Sequence, residues 1–267
     1  MTYFRKANTI TLAALVGVIG VSSAQAAETR LAAKYKLAFH GLNVGRMKNS
    51  IRIGDDSYSL VGTVKTNAVV ALVADTKAQF AVSGSLGDRQ PIPRKHALNY
   101  RLKKERGFVK TAFSNGNVVN TSAKPKVKFK RGAVKLRDAH YKKVLDPISA
   151  LVFPVSENEV GTGRGVCNRT LPIFDGKNRM DLKFTFKSKK VASADGFKGE
   201  VFTCAIRYQP VAGMRMKGRT TKFMKANREL EISLARVGKT NVYALFDFRI
   251  RTRRGIASGK AYTFKTL

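Results

Sequence analysis

Two cysteines, three histidines and a handful of carboxylates are the residues of this chain whose types could do chemistry. Cys167 and Cys204 have no second Cys or His pair at metal-ligand spacing. In an exported chain such a pair reads as a disulfide rather than a metal site, the alternative being two buried free thiols. His40, His96 and His140 lie far apart, and none has an i, i+4 partner or a neighbouring cysteine, so no metal site is expected. No G-x-S-x-G nucleophile elbow is present. Asp175 and Asp181 are the two carboxylates that glycan hydrolysis could use. A turn aspartate beside Gly176 and a surface aspartate among lysines account for them without invoking catalysis. The sequence therefore predicts neither a catalytic constellation nor a cofactor.

Cations are what the chain has in excess: 51 Lys and Arg against 17 Asp and Glu, a formal charge of +34. Segment 124–131 alternates lysine with Val127 and Phe129. As a strand it would present Lys126, Lys128 and Lys130 as a ladder suited to a row of phosphates or sulfates, or as an edge guarded against aggregation. Arg249, Arg251, Arg253 and Arg254 form a second patch, which a solvated turn would also explain. These seven residues are the expected anion-binding set. The glycines around Arg164 in 161–165 could make an anion nest, but without a phosphate-loop lysine a plain flexible loop is the better reading.

Residues 1–26 carry Arg5 and Lys6, then an apolar run over 10–21, then Ala24-Gln25-Ala26. That order of charge, apolar core and small-residue cleavage site predicts a secretory signal peptide, leaving 27–267 as a single domain. Removing it takes away two cations and no carboxylate, so the formal charge becomes +32. A surface this positive favours polyanionic neighbours. Outside the cytosol these are lipid headgroups, lipopolysaccharide or acidic glycans, and no specific nucleic acid partner is expected. No later stretch is long and apolar enough to be a transmembrane segment.

The elements that must position these residues read almost entirely as strands. Leu31, Ala33, Tyr35, Leu37 and Phe39 fall on every second position, the period of a half-buried strand. Segments 46–53 and 58–64 continue an antiparallel meander. The apolar run 67–74 has no clear period. Segment 79–83 reads as strand, and Pro91 and Pro93 place 91–96 at an edge or loop before strand 97–102. Asn115-Gly116 and Asp175-Gly176 are hairpin turns between alternating runs. Asp146 as N-cap and Pro147 at the first helical position predict a short helix that Pro154 limits. Cys167 shares its parity with Leu171 and Ile173 on a strand before the second hairpin, and Cys204 sides with Phe202 and Ile206, so both thiols would face one core. Segment 212–228 has no clean period and reads as loop or irregular strand. Three strands over 230–237, 241–251 and 257–264 close the chain. The sum is an all-β protein: an antiparallel spiral or open β-barrel of about a dozen strands with one to three short helices.

Gly41-Leu42-Asn43-Val44-Gly45, then Asp146 to Leu151, and above all Leu171-Pro172-Ile173-Phe174-Asp175-Gly176-Lys177 with Arg179 and Asp181, carry a resemblance. In order and spacing they resemble the proteobacterial periplasmic family known as domain of unknown function DUF3108, over nearly all of 34–264. Met180 stands where that family often has Tyr. The resemblance implies a mostly β protein of the periplasm. More distantly, the architecture is similar to the spiral β proteins of envelope-integrity protein B and to open-barrel lipoprotein carriers, which present a concave apolar groove. The expected function is binding or scaffolding at the cell envelope, with lipid, lipopolysaccharide or another envelope polyanion as ligand. An enzyme or enzyme partner acting on peptidoglycan, and a purely structural protein, are the alternatives.

Overall fold

A computed structural model of the chain describes residues 28–67 and 76–267. The expected signal peptide, and all but Asn67 of the 67–74 run, lie outside the described residues. Among the described residues there are fourteen strands: β1 (Thr29–Phe39), β2 (Leu42–Ile53), β3 (Ser57–Thr66), β4 (Thr76–Leu86), β5 (Pro91–Leu102), β6 (Glu105–Ser114), β7 (Asn117–Lys124), β8 (Val152–Pro154), β9 (Arg169–Phe174), β10 (Arg179–Ala194), β11 (Phe197–Ala212), β12 (Leu230–Arg236), β13 (Val242–Thr252) and β14 (Gly255–Thr266). They make one open antiparallel sheet in the order β7-β6-β5-β4-β3-β2-β1-β14-β13-β12-β11-β10-β9, with β8 beside β13. Two meanders, β1 to β7 and β9 to β14, are thus sewn together where the first strand pairs with the last. Among the described residues no helix is long and apolar enough to cross a membrane.

Period-two patterning decides which face turns inward. In β1, Leu31, Ala33 and Tyr35 are buried while Lys34 and Lys36 face solvent. The interior is filled by large side chains, among them Tyr35, Phe153, Phe202, Tyr243, Phe246 and Phe264. Where a ring crosses a neighbouring strand, a glycine makes room. A Cβ on Gly62 would stand 2.3 Å from the Phe80 ring, and one on Gly259 would stand 2.4 Å from Phe248. The long β10–β11 hairpin folds its tip onto β14. There Asp195 N donates to Tyr262 O at 3.0 Å, and the Phe197 ring packs 5.2 Å from Phe264 and 5.3 Å from Phe246.

The two open edges, β7 and β9, are joined by the connection between them, which runs as a strap. Val144 N donates to Gly116 O in the β6–β7 turn at 2.8 Å. Leu145 N donates to Pro172 O, and Phe174 N to Leu145 O, each at 2.8 Å on β9. The strap then continues as β8 beside β13. Both predicted hairpin turns form, with Gly116 at φ 74° and Gly176 at φ 92°. Asp146 Oδ1 accepts from Ile148 N at 2.9 Å and Ser149 N at 2.8 Å, but the helix is a single 3-10 turn, Ser149–Leu151, whose N-cap position is Ile148 rather than Asp146.

Several local expectations are corrected. Lys126, Lys128 and Lys130 lie on no strand, because the chain leaves the sheet at Lys124 and Pro125 brings no amide hydrogen to a ladder. The edge reading of Pro91 and Pro93 holds, for both lie in the first three residues of β5, where the strand pairs with β4 alone. Cys167 ends a five-residue helix, Gly163–Cys167, rather than lying on a strand; Thr162 caps it by accepting from Gly165 N at 3.1 Å, which also replaces the expected flexible loop. Within 212–228 an eight-residue helix, Arg219–Ala226, forms.

Candidate functional site

Five separate segments bring cations to one cleft of about 990 Å³. Lys130 comes from the irregular segment after β7, and Lys177 from the β9–β10 turn. Arg215 and Lys217 follow β11, Arg219 opens the helix Arg219–Ala226, and Arg253 sits in the β13–β14 turn. Val134, Tyr208, Met214, Met216 and Met224 add apolar wall between them. Among the described residues no carboxylate lines the cleft, and none of its six cations makes an ion pair.

Backbone contacts hold this wall. Val134 N donates to Met214 O at 3.1 Å, and Gly213 N returns a bond to Val134 O at 2.8 Å. Gly213 has φ 86°, and a Cβ there would stand 2.1 Å from the Lys177 carbonyl oxygen, so only glycine lets the segment lie against the β9–β10 turn. That turn is fixed by Asp175, whose Oδ1 accepts from Lys177 N at 2.9 Å and Asn178 N at 2.6 Å. Lys177 Nζ lies 6.0 Å from the centre of the half-exposed Phe129 ring, which ties the predicted lysine segment to the same turn. The Tyr208 hydroxyl is held above the usual tyrosine range by burial first and by the Asp175 charge second, so it stays a neutral donor.

Of the seven expected anion-binding residues, Lys130 and Arg253 reach the cleft. Lys126, Lys128, Arg249, Arg251 and Arg254 are exposed outside it, and Arg251 is engaged with Glu229 at 2.5 Å. Lys177, Arg215, Lys217 and Arg219 were missed, since they are isolated cations in turns and in a segment without period; only the fold makes them neighbours. The carboxylates weighed for hydrolysis are otherwise occupied, Asp175 by its own turn and Asp181 by Arg179 at 2.6 Å. Cys167 and Cys204 are both fully buried with sulfurs 2.04 Å apart, the disulfide distance, pinning the Gly163–Cys167 helix to β11. Among the described residues no group of three or more His, Cys, Asp or Glu is placed to hold a metal ion.

Behind this helix Arg169 is buried in β9. It donates to the carbonyls of Arg89, Pro154 (2.8 Å) and Gly165 (2.7 Å), and its guanidinium lies 5.2 Å from the Phe153 ring centre. Burial, then the Arg89 charge, lower its pKa to about 10, with Glu159 opposing. It remains charged at neutral pH and acts as a structural tie.

The family described as protein of unknown function (DUF3108) matches residues 34–257. No curated protein matches the chain by sequence. Among solved structures, the chain is similar to a β-barrel-like protein of domain of unknown function DUF1849 from Brucella abortus, at 12% identity and TM-score 0.50, covering 90% of this chain and 98% of that one. A DUF1329 family protein from Desulfovibrio piger aligns at 7% identity and TM-score 0.21, over 91% and 86% of the two chains.

Proposed function

We propose, for a chain that belongs to the DUF3108 family, a binding or scaffolding role at the cell envelope. In this reading the six-cation cleft holds the anionic head of a lipid, of lipopolysaccharide or of another envelope polyanion. The observation that carries it is the convergence of Lys130, Lys177, Arg215, Lys217, Arg219 and Arg253 on one concavity without a lining carboxylate. Six like charges held close repel one another, and an anion placed among them relieves that repulsion. The three methionines beside them are flexible, polarisable side chains suited to an apolar chain of variable shape. An amphiphile with an anionic head therefore fits better than a bare polymer.

The setting is the periplasm, supported by the charge, apolar core and A-x-A order of residues 1–26 and by a buried disulfide of the kind an oxidising compartment maintains. The role is binding rather than catalysis, supported by the engagement of Asp175 and Asp181 in the fold. Co-sedimentation with vesicles tests the reading. The protein should bind vesicles containing anionic phospholipid at low salt, release them as salt rises, and ignore purely zwitterionic ones. A variant with all six cleft cations replaced by Gln should lose most of this binding, while a variant with Lys126, Lys128, Arg249 and Arg254 replaced should keep most of it. Equal binding by the six-site variant and the parent would defeat the proposal.

A further inference from the structure

The six cleft cations divide into three on tied turns and three on a segment that is tied only at its ends. Lys177 belongs to the turn that Asp175 fixes. Arg253 belongs to the β13–β14 turn, where Thr252 Oγ1 donates to Gly255 O at 2.8 Å and His40 Nε2 lies 3.0 Å from Arg254 O. Lys130 opens a turn that Ala133 N closes by donating to Lys130 O at 3.0 Å. The other three, Arg215, Lys217 and Arg219, lie between Met214 and Asn227.

Those two residues are the fixed ends. Met214 O accepts from Val134 N. Asn227 is buried; its Nδ2 donates to Arg251 O at 2.7 Å and its carbonyl accepts from Arg207 Nη1 at 3.3 Å. Between them the bonds are local. Gly218 N donates to Arg215 O at 2.9 Å, Asn227 N donates to Met224 O at 3.3 Å, and the helix Arg219–Ala226 makes its own ladder. Among the described residues no hydrogen bond or ion pair joins 215–226 to any part of the chain outside 214–227. No residue of 215–226 is buried, and the half-buried Met224 is its contact with the core. Gly218, the N-cap of the helix, offers no side-chain bond to lock the entrance. Few buried contacts and no outside hydrogen bonds are the marks of a segment that opens at low cost.

Building on the reading of the cleft as an anion site, we propose that residues 215–226 are its movable lid. Repulsion between Arg215, Lys217 and Arg219 on the lid and Lys130, Lys177 and Arg253 on the turns holds the lid off while the cleft is empty. An anion seated between the two sets is attracted by both and draws the lid down. The segment 215–226 carries no carboxylate, so nothing on it offsets the repulsion. Met216 and Met224 ride on the lid, so closing also brings apolar wall over whatever the head carries. Salt acts in the same direction as the anion, because screening removes the repulsion and leaves the Met224 contact to seat the lid.

Distances between nitroxide labels on Thr220→Cys and Gln209→Cys test the lid. Thr220 is exposed on it, Gln209 is exposed on β11, and the native cysteines are both in the disulfide, so the labels go to the introduced pair. In the free parent at low salt the distances should be broad, with a long population. Inorganic phosphate, vesicles containing phosphatidylglycerol, or about 1 M salt, where the Debye length is about 3 Å, should each collapse them to the short one. Replacing Lys130, Lys177 and Arg253 by Gln should give the short distance at low salt with no anion present, and Met224→Ala should enlarge the long population. One unchanging distance in every condition overturns the lid, as does a long population that survives the triple replacement. Vesicles that bind without changing the distance overturn the lid and leave the anion site standing. Closure by salt without any binding of vesicles or phosphate overturns the anion site and leaves the moving segment. Should the triple variant fail to fold, the parent's response to salt decides the matter.

Discussion

Arg169 shows how a single side chain can be indispensable here without being functional. Its three carbonyl partners come from three separate places in the chain, Arg89, Pro154 and Gly165. Arg169→Ala should cost about 3 kcal/mol or more, because three buried acceptors lose their donor; a shift of the urea midpoint at unchanged slope measures it. Tyr58→Phe removes one donor from Ser149 and should cost about 1 kcal/mol by the same measurement. At this scale the sequence was partly legible. Asp146 with the Pro that follows it announced a turn whose amides its carboxylate accepts, and Cys167 and Cys204 announced each other by being the only two. His96 did not announce itself, because a lone histidine in an alternating run looks the same facing solvent or core. What distinguishes it is its burial at 5% exposure, which only the folded sheet decides.

At the scale of elements, glycine-bearing turns and alternating runs were readable because both signals are local. Asn115-Gly116 and Asp175-Gly176 stand where left-handed backbone is needed, and the flanking runs are strands. The failures also have local causes. Pro125 ends β7 although the lysine alternation runs past it, and Arg219–Ala226 is helical although its cations hide any apolar stripe. The Gly163–Cys167 helix spans barely more than one turn, and its sequence carries no period. Gly213→Ala should drive the post-β11 segment off the Lys177 carbonyl, costing about 2 kcal/mol through positive φ and overlap. It should also weaken anionic-vesicle binding while leaving the strand content seen by circular dichroism intact. Replacing Cys167 and Cys204 together by Ala opens a closure of 37 residues and should cost about 3 to 4 kcal/mol in the chain-entropy account, read as a lowered midpoint without reductant and no further change with it.

The molecule as a whole is one curled sheet whose ends are bridged by a strap, and its charge is organised by that curl. Composition told how much positive charge the chain carries, but not where it gathers. Lys130 and Arg253 lie 123 positions apart and meet because β1 pairs with β14 and the strap returns the chain to β9. That long-range closure is also why the cleft was illegible: its six cations belong to five segments, each unremarkable alone. The account therefore makes the cleft, and not the total charge, responsible for binding. Native mass spectrometry of gently purified full-length protein tests this most directly, comparing the parent with the variant carrying Gln at Lys130, Lys177, Arg215, Lys217, Arg219 and Arg253. The account predicts an anionic amphiphile retained by the parent and absent from the variant; a parent with no adduct, or a variant that keeps it, would contradict the claim.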